Sequence, residues 1–209
     1  MKVNRIKVIS RPLLPLLPSF AQRGSLLYHV SANGLLKGLC FEGSDFDKDA
    51  FYLEAFFLPL YVPQGCISFA FGDRLSKGKR WKMEEGKSAA IEAELIKAVC
   101  DEAIPFFAKA DTPEGFARLI PEIHPNPRDP YVLQGRAYSW AKVGNVSVAT
   151  GLLKELIEVL TGTSPQYDWM IEMAARAEKL SRLLTEDPAA AKQLLIEWES
   201  LSRKNLKLN

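Results

Sequence analysis

The stretch from Phe51 to Val62, with the sequence FYLEAFFLPLYV, gives the clearest indication of the fold. Alternate side chains of an extended chain point to opposite faces, and here both faces are rich in aromatic and aliphatic side chains. Because Pro59 and Pro63 have no backbone N–H to donate, we expect the end of the strand to lie at a sheet edge, at a bulge or beyond the sheet. The stretch therefore predicts a strand that is covered on both sides or that exposes an apolar binding patch.

Short β-type segments lie on either side of this strand. The connections contain residues that tolerate turn geometry, such as Asn33-Gly34 and Gly65. Since short connections join neighbouring strands in antiparallel fashion, the pattern predicts a meander. Residues 3–19 are expected to form either an amphipathic helix or an irregular arm, because prolines interrupt them. The four expected strands are Ser25–Val30, Leu35–Glu42, Phe51–Val62 and Cys66–Phe71.

Near residue 86 the spacing of apolar residues changes from two residues, the period of a β-strand, to about 3.6 residues, the period of an α-helix. Pro105 is expected to kink or end the first helix near Ile104. The expected helices cover residues 88–108, a short segment from about 111, and then 131–143, 146–160, 166–184 and 188–206. The sequence thus predicts an α+β protein, with an N-terminal four-stranded antiparallel meander followed by an all-helical C-terminal region. We expect residues 1–85 to form the β region and residues 86–209 to dock on it as one compact unit.

Composition and charge favour a soluble globular protein. Of the 209 residues, 47% are hydrophobic and 25% are charged, which are ordinary values for this class. Lys and Arg total 27 against 25 for Asp and Glu, so no strong field favours nucleic acid or a membrane surface as a partner. Three prolines interrupt the apolar residues 12–18, which argues against a signal peptide. The odd number of cysteines, Cys40, Cys66 and Cys100, and their apolar surroundings indicate buried thiols in a reducing compartment, and we expect a cytoplasmic location.

The helical half contains a familiar packing pattern. Residues 137–156 resemble one tetratricopeptide repeat, because small, aromatic, glycine and large apolar residues follow each other at that repeat's spacing. The resemblance implies a helical hairpin of the kind used in protein-binding arrays, although Leu156 stands where the repeat prefers alanine and no second copy follows. An ordinary helical pair that obeys the same packing rules would give this pattern too. The residues concerned are Ala137, Trp140, Gly144, Ala149, Leu153 and Leu156.

The chain as a whole resembles small bacterial proteins grouped as domains of unknown function. The features that carry this resemblance are residues 36–42, residues 57–63 and the late Trp198 before a basic C-terminus. These are packing motifs, so the resemblance implies no chemistry.

One carboxylate has an unusual sequence context. Glu54 is flanked by apolar and aromatic residues, and a carboxylate buried without a partner is costly. Such a group pairs with a cation, lies at an exposed edge, or titrates at a raised pKa and serves a binding site. A candidate ligand pocket would combine Glu54 with Tyr52, His29 and Arg74.

A basic connection follows the predicted sheet. Lys77, Lys79, Arg80 and Lys82 surround Trp81, so the segment could contact phosphates and stack a base on the indole. A single basic loop on a nearly neutral chain more often forms a solvated surface. Nucleic-acid binding through residues 77–82 is therefore only an alternative.

The sequence contains no assembled catalytic or metal motif. With two histidines and no Cys-x-x-Cys spacing, it predicts no metal site and no cofactor, and we name no catalytic residue. The preferred hypothesis is a non-catalytic protein–protein interaction module with an unidentified protein partner and an open oligomeric state. The alternatives are a toxin-neutralising, immunity-like protein, a small-ligand binder or enzyme with a site between sheet and helices, and a weak nucleic-acid binder.

Overall fold

The structure is a computed structural model that describes residues 3–83 and 88–208. The domain boundary expected at residues 85 and 86 lies outside the described residues. The chain divides into two compact units. The sheet unit contains Met1–Ser31, Leu36–Leu58 and Phe69–Lys109, and the helical unit contains Ala32–Leu35, Pro59–Ser68 and Ala110–Asn209. The helices over residues 88–108 thus belong to the sheet unit, and two short segments of the first half belong to the helical unit.

The sheet has six strands in the described chain. The strands β1 to β5 neighbour each other in sequence order. The strand β6 pairs with the first residues of β4, ahead of the residues of β4 that pair with β5. The strands are β1 (Ala21–Arg23), β2 (Leu26–Val30), β3 (Leu35–Gly43), β4 (Ala50–Pro59), β5 (Phe71–Arg74) and β6 (Trp81–Lys82). The prediction of an α+β chain with an N-terminal antiparallel sheet and a helical C-terminal region is confirmed.

The predicted count of four strands is wrong, because the short strands β1 and β6 were not predicted. The limits of the third and fourth expected strands also differ, around two prolines. The strand β4 ends at Pro59, and residues 60–70 contain turns and irregular backbone rather than the expected strand Cys66–Phe71. A ladder cannot continue through Pro59 and Pro63, because neither residue donates a hydrogen bond. The following strand begins only at Phe71, where it pairs with Phe57.

The register assigns the side chains to two faces of the sheet. Tyr28 lies opposite Gly38 and His29 lies opposite Lys37, so these two pairs point to opposite faces. Gly38 leaves no room for a Cβ because the ring of Phe56 covers it. The even-numbered residues of β2, β3 and β4 therefore share one face, which we call the even face.

The other face of the sheet packs against the helices of its own unit. Phe57 contacts the rings of Phe106 and Phe107 at centroid distances of 4.9 and 5.9 Å, and Phe51 stacks on Trp81. These buried aromatic rings form much of the core of the sheet unit. Its helical segments are α1 (Val3–Ser10), a 3-10 helix (Arg11–Leu16), the turn α2 (Leu75–Gly78), α3 (Ser88–Ala98), a π-helix (Val99–Ala103) and α4 (Ile104–Ala108).

The chain passes Pro105 without leaving the helix. Helix α3 widens into the π-helix and then continues as α4, with the N–H of Ile104 bonded to the carbonyl of Val99. A proline inside an α-helix clashes with the carbonyl four residues earlier, and the wider π turn moves that carbonyl away. The helix does not stop near Ile104; at this position it changes type locally.

The helical unit begins each of four helices with a side-chain cap. The oxygens of Thr112, Asp129, Asn145 and Asp187 accept backbone N–H bonds in the first turns of the helices that they precede. The helices are α5 (Pro113–Ile123), α6 (Pro130–Lys142), α7 (Val146–Thr161), α8 (Asp168–Glu186) and α9 (Pro188–Leu206). For the last four, the predicted limits differ from these by at most two residues.

The segment Pro59–Ser68 completes the core of the helical unit. Tyr61 and Val62 lie in the same apolar cluster as Tyr138, Leu153 and Trp198. The hydroxyl oxygens of Tyr61 and Ser139 are 2.7 Å apart. In the same unit, Ser202 donates to the carbonyl of Val62 and accepts from the N–H of Gln64. Among the described residues, no helix is both long and apolar enough to cross a bilayer.

Candidate functional site

The sheet unit brings together three of the four residues predicted to form a ligand pocket. Glu54 on β4 lies directly opposite Arg74 on β5. The guanidinium of Arg74 lies 4.1 Å from the centroid of the Tyr52 ring, and its Nη2 donates to Glu42 Oε2 over 2.6 Å. We call the group of Cys40, Glu42, Tyr52, Glu54 and Arg74 on the even face the carboxylate cluster.

The carboxyl group of Glu54 is the most strongly perturbed acid of this cluster. The residue is only 8% exposed. Burial raises its pKa to about 7, the nearby Glu42 carboxylate adds to the increase, and Arg74 opposes it. Glu54 can therefore hold a proton near neutral pH, because the nearby cation, Arg74, forms its ion pair with Glu42 instead.

Cys40 lies close to the same carboxyl group. Burial raises the pKa of the Cys40 thiol to about 11, and the charges of Glu54 and Glu42 act in the same direction. A thiol in this setting remains protonated and is a poor nucleophile. The carboxylate cluster thus provides no activated cysteine. The prediction of buried thiols is wrong for Cys66 and Cys100, which are exposed.

His29 does not join the carboxylate cluster. It points to the face opposite the even face, its Nδ1 lies 3.1 Å from the carbonyl oxygen of Ser19, and its ring packs on Phe20. The sequence could not separate these faces without the register, because only the strand pairing shows which residues are neighbours.

A separate small cavity of about 170 Å³ lies in the sheet unit. Of the predicted pocket residues only Arg74 lines it. Glu102, which belongs to the π-helix, accepts hydrogen bonds from the N–H and the hydroxyl of Ser76 in the left-handed turn α2. No group of three or more His, Cys, Asp or Glu side chains in the described ranges could hold a metal ion. The cavity is lined by Ala55, Asp73, Arg74, Leu75, Glu102 and Phe106.

Two of the four cations of the basic connection are paired with acids within the sheet unit. Trp81 is 2% exposed, stacks on Phe51 and donates its indole N–H to Glu94. Lys79 pairs with the same glutamate at 2.9 Å, and Lys82 pairs with Asp47 at 3.1 Å. Because the indole is buried, a base cannot stack on it without a rearrangement. Lys77 and Arg80 are exposed.

The helical unit exposes a pair of aromatic rings that the sequence analysis missed. Tyr131 in the first turn of α6 and Trp169 in the first turn of α8 stack at 5.7 Å with an interplanar angle of 12°. They are 49% and 41% exposed. We call these two residues the aromatic pair. Since exposed tryptophan and tyrosine side chains are enriched where proteins bind each other, the pair is a candidate interface.

Acidic side chains accompany the aromatic pair. Asp129 caps α6 two residues before Tyr131, and Asp168 begins α8 immediately before Trp169. Neither carboxylate has a cationic partner among residues 3–83 and 88–208. Glu172, one helical turn beyond Trp169, makes only a long contact of 3.7 Å with Arg176. The surroundings of the pair therefore carry excess negative charge.

A sequence signal for the aromatic pair exists in helix α8. The buried stripe of this helix contains Met170, Met173 and Ala177, and Trp169 lies beside it rather than within it. A large aromatic residue outside the buried stripe is a candidate binding residue. Its stacking on Tyr131 could not be deduced, because the two residues are separated by most of two helices.

In the predicted hairpin at residues 137–156, small residues are buried at the positions where the repeat requires them. Ala137 and Ala149 are buried between α6 and α7, and Gly144 adopts a φ of +80° in the turn that joins these helices. This geometry agrees with tetratricopeptide-type packing and with an ordinary helical pair alike, so the assignment to that repeat stays a prediction.

The fold defines an α+β protein whose helical unit carries an exposed aromatic pair. Comparison of the chain with protein-family models, with curated proteins and with solved structures finds no match.

Proposed function

We propose that this protein is a non-catalytic protein–protein interaction module that binds its partner through the aromatic pair of the helical unit. The observation that carries the proposal is the exposure of two stacked rings, Tyr131 and Trp169, on neighbouring helices. Residues of these types supply much of the binding energy of protein interfaces when a partner covers them.

The mutual stacking of the two rings supports this proposal. Asp129 caps α6 through two backbone N–H groups, and each ring belongs to the first turn of a helix anchored in the core of the unit. A side chain that is already held in place loses little conformational entropy on binding. The aromatic pair is thus already arranged for binding in the free protein.

The test places a photocrosslinking aromatic amino acid, p-benzoylphenylalanine, at position 131 of the full chain in its native cells. Position 171 is the matched control, because Ile171 is 54% exposed on the same helix as Trp169 but lies on the opposite flank of the buried stripe. We expect one defined adduct from position 131 and none of that mass from position 171. Trp169→Ala should abolish the adduct.

The proposal fails if both positions give the same adducts, or if position 131 gives none while the protein is folded. Far-UV circular dichroism and a cooperative thermal transition establish folding of each variant. An adduct that survives Trp169→Ala contradicts the role of the aromatic pair as well.

Binding of a small ligand by the sheet unit is a second candidate, supported by the cavity of about 170 Å³ beside β5. Ala55→Leu would place a longer side chain in this cavity. A thermal-shift screen of small amines and carboxylates should then find compounds that stabilise the natural protein but not the variant. A screen in which no compound distinguishes the two proteins rejects this candidate.

A further inference from the structure

Three aromatic rings in the described part of the chain have a cation near one face. Arg74 lies over Tyr52, Arg118 lies 5.2 Å from the centroid of Trp140, and Lys142 lies 5.6 Å from that of Tyr61. In each case the positive charge meets the electron-rich face of the ring.

The aromatic pair lacks such a cation within the described chain, although it is more exposed than these rings. Its two rings contact each other, and the nearest ionisable groups along both helices are the carboxylates of Asp129, Asp168 and Glu172. Arg128 is directed to Glu155, at 3.4 Å, and Arg176 contacts Glu172. The surface thus has the rings and the carboxylates of a cation site, and the two cations next to these carboxylates in sequence, Arg128 and Arg176, are each directed to an acid. Arg136, further along α6, is half-buried.

We propose that the aromatic pair binds a basic segment of the partner protein, with an arginine or lysine side chain placed against Trp169 and Tyr131 and flanked by Asp129 and Asp168. This inference rests on the proposed interaction function and adds the chemical class of the partner. Charge complementarity carries it, because exposed rings near carboxylates that have no cationic partner in the described chain attract a cation and not an anion. Arginine fits best, since its planar guanidinium stacks on an aromatic ring while its N–H groups reach a carboxylate.

The test uses the full chain labelled with ¹⁵N and a synthetic probe peptide with two arginines separated by glycine. The matched peptide carries citrulline, which has the shape of arginine without its charge, and a third peptide carries glutamate. The protein has four tryptophans, and Trp169→Phe assigns the indole N–H signal of Trp169. We expect the arginine peptide to shift this signal and to bind roughly five- to tenfold more tightly than the citrulline peptide.

Two variants separate the contributions to this binding. Trp169→Leu should remove most of the affinity, and Asp168→Asn should weaken it by roughly twofold to fivefold and reduce its dependence on salt. Ile171→Ala is the control, because Ile171 lies on the other flank of helix α8, and it should leave the affinity unchanged.

Equal binding of the arginine and citrulline peptides overturns the inference, as does unchanged binding by Trp169→Leu. Preference for the glutamate peptide overturns it as well. If none of the peptides binds while the crosslink from position 131 forms and depends on Trp169, the interaction function stands and the basic class of partner is rejected. Loss of that crosslink rejects the proposed function itself.

Discussion

Glu54 links a single position of the sequence to the pH dependence of the whole fold. The pKa of its carboxyl group is raised from 4.5 to about 7, first by burial and then by the charge of Glu42. Between these two pH values the folded protein keeps a proton that the unfolded chain has lost. The stability that neutral Glu54 provides is therefore complete below about pH 4.5 and is lost as the pH rises through about 7.

Glu54→Gln should stabilise the protein above neutral pH, because the amide remains uncharged there. We expect the variant to have a free energy of unfolding higher by about 1–2 kcal/mol at about pH 8, and a difference close to zero or reversed at about pH 5. Urea unfolding followed by fluorescence at a series of pH values measures this. Glu122→Gln, at an exposed position of α5, is the control and should show no such trend. A Glu54→Gln variant that is less stable at every pH would contradict this interpretation.

The three cysteines should differ in reactivity at the level of the single side chain. Cys66 and Cys100 are exposed, whereas burial raises the pKa of Cys40 to about 11. With the thiol reagent DTNB at about pH 8, we expect two thiols to react quickly and the third, that of half-buried Cys40, to react more slowly because it stays protonated. Cys40→Ala should leave the fast phase unchanged. Three equally fast thiols in the natural protein would disprove the protected position of Cys40.

At the scale of elements, the sequence predicted those parts whose signals are local. The helices after residue 130 were correct within two residues, because caps such as Asp187 and a 3.6-residue period mark them directly. The strand expected at Cys66–Phe71 was wrong, since β-type residues there follow prolines that end pairing. The π-helix was not predicted either, because it is a response to Pro105 that depends on how the helix packs.

The candidate sites, too, could be predicted only where the signal is local in the sequence. Tyr52 and Glu54 are two positions apart on one strand, so the alternation of a strand places them on one face. Arg74 joins them only through the register of β4 and β5, and this register depends on a long irregular connection. His29 was grouped with these residues without knowledge of the register, which places it on the opposite face. The aromatic pair was missed because its two members come from different helices.

The glycine in the turn before β3 should be important for the stability of the helical unit. Gly34 has a φ of +79°, and a Cβ at this position would meet the carboxylate of Glu199, which pairs with Lys142 and Arg203. Gly34→Ala should destabilise the protein by about 2–3 kcal/mol, from backbone strain and from displacing that carboxylate.

Gly144→Ala is the matched control, because Gly144 has a φ of +80° but open space around it. This variant should lower the free energy of unfolding by only about 1 kcal/mol, from the strain of a positive φ at alanine. In a Glu199→Ala background, the cost of Gly34→Ala should fall to a similar value. Urea unfolding measures all of these differences. An equal cost for the two glycine variants would show that the approach to Glu199 is unimportant.

At the scale of the whole molecule, the charges do not favour a polyanion. The net charge is +2, and Lys79 and Lys82 of the basic connection are paired with acids. We expect the protein to pass through a heparin column at about 0.15 M ionic strength without retention. Retention that disappears on Lys79→Gln with Arg80→Gln would instead support the nucleic-acid alternative. Lys192→Gln, at an exposed position of α9, serves as the control.

The position of Tyr61 in the core of the helical unit bears on how the chain is made. Residues 59–68 leave the ribosome well before the helices that enclose them. Their packing can be completed only after α9, which supplies Trp198 and Ser202, has been synthesised. A gene cut after Lys109 would yield a second product with a tyrosine-sized hole in its interior and Ser139 deprived of its phenolic neighbour. Splitting this protein at the apparent border between strands and helices would therefore damage the half that looks self-sufficient.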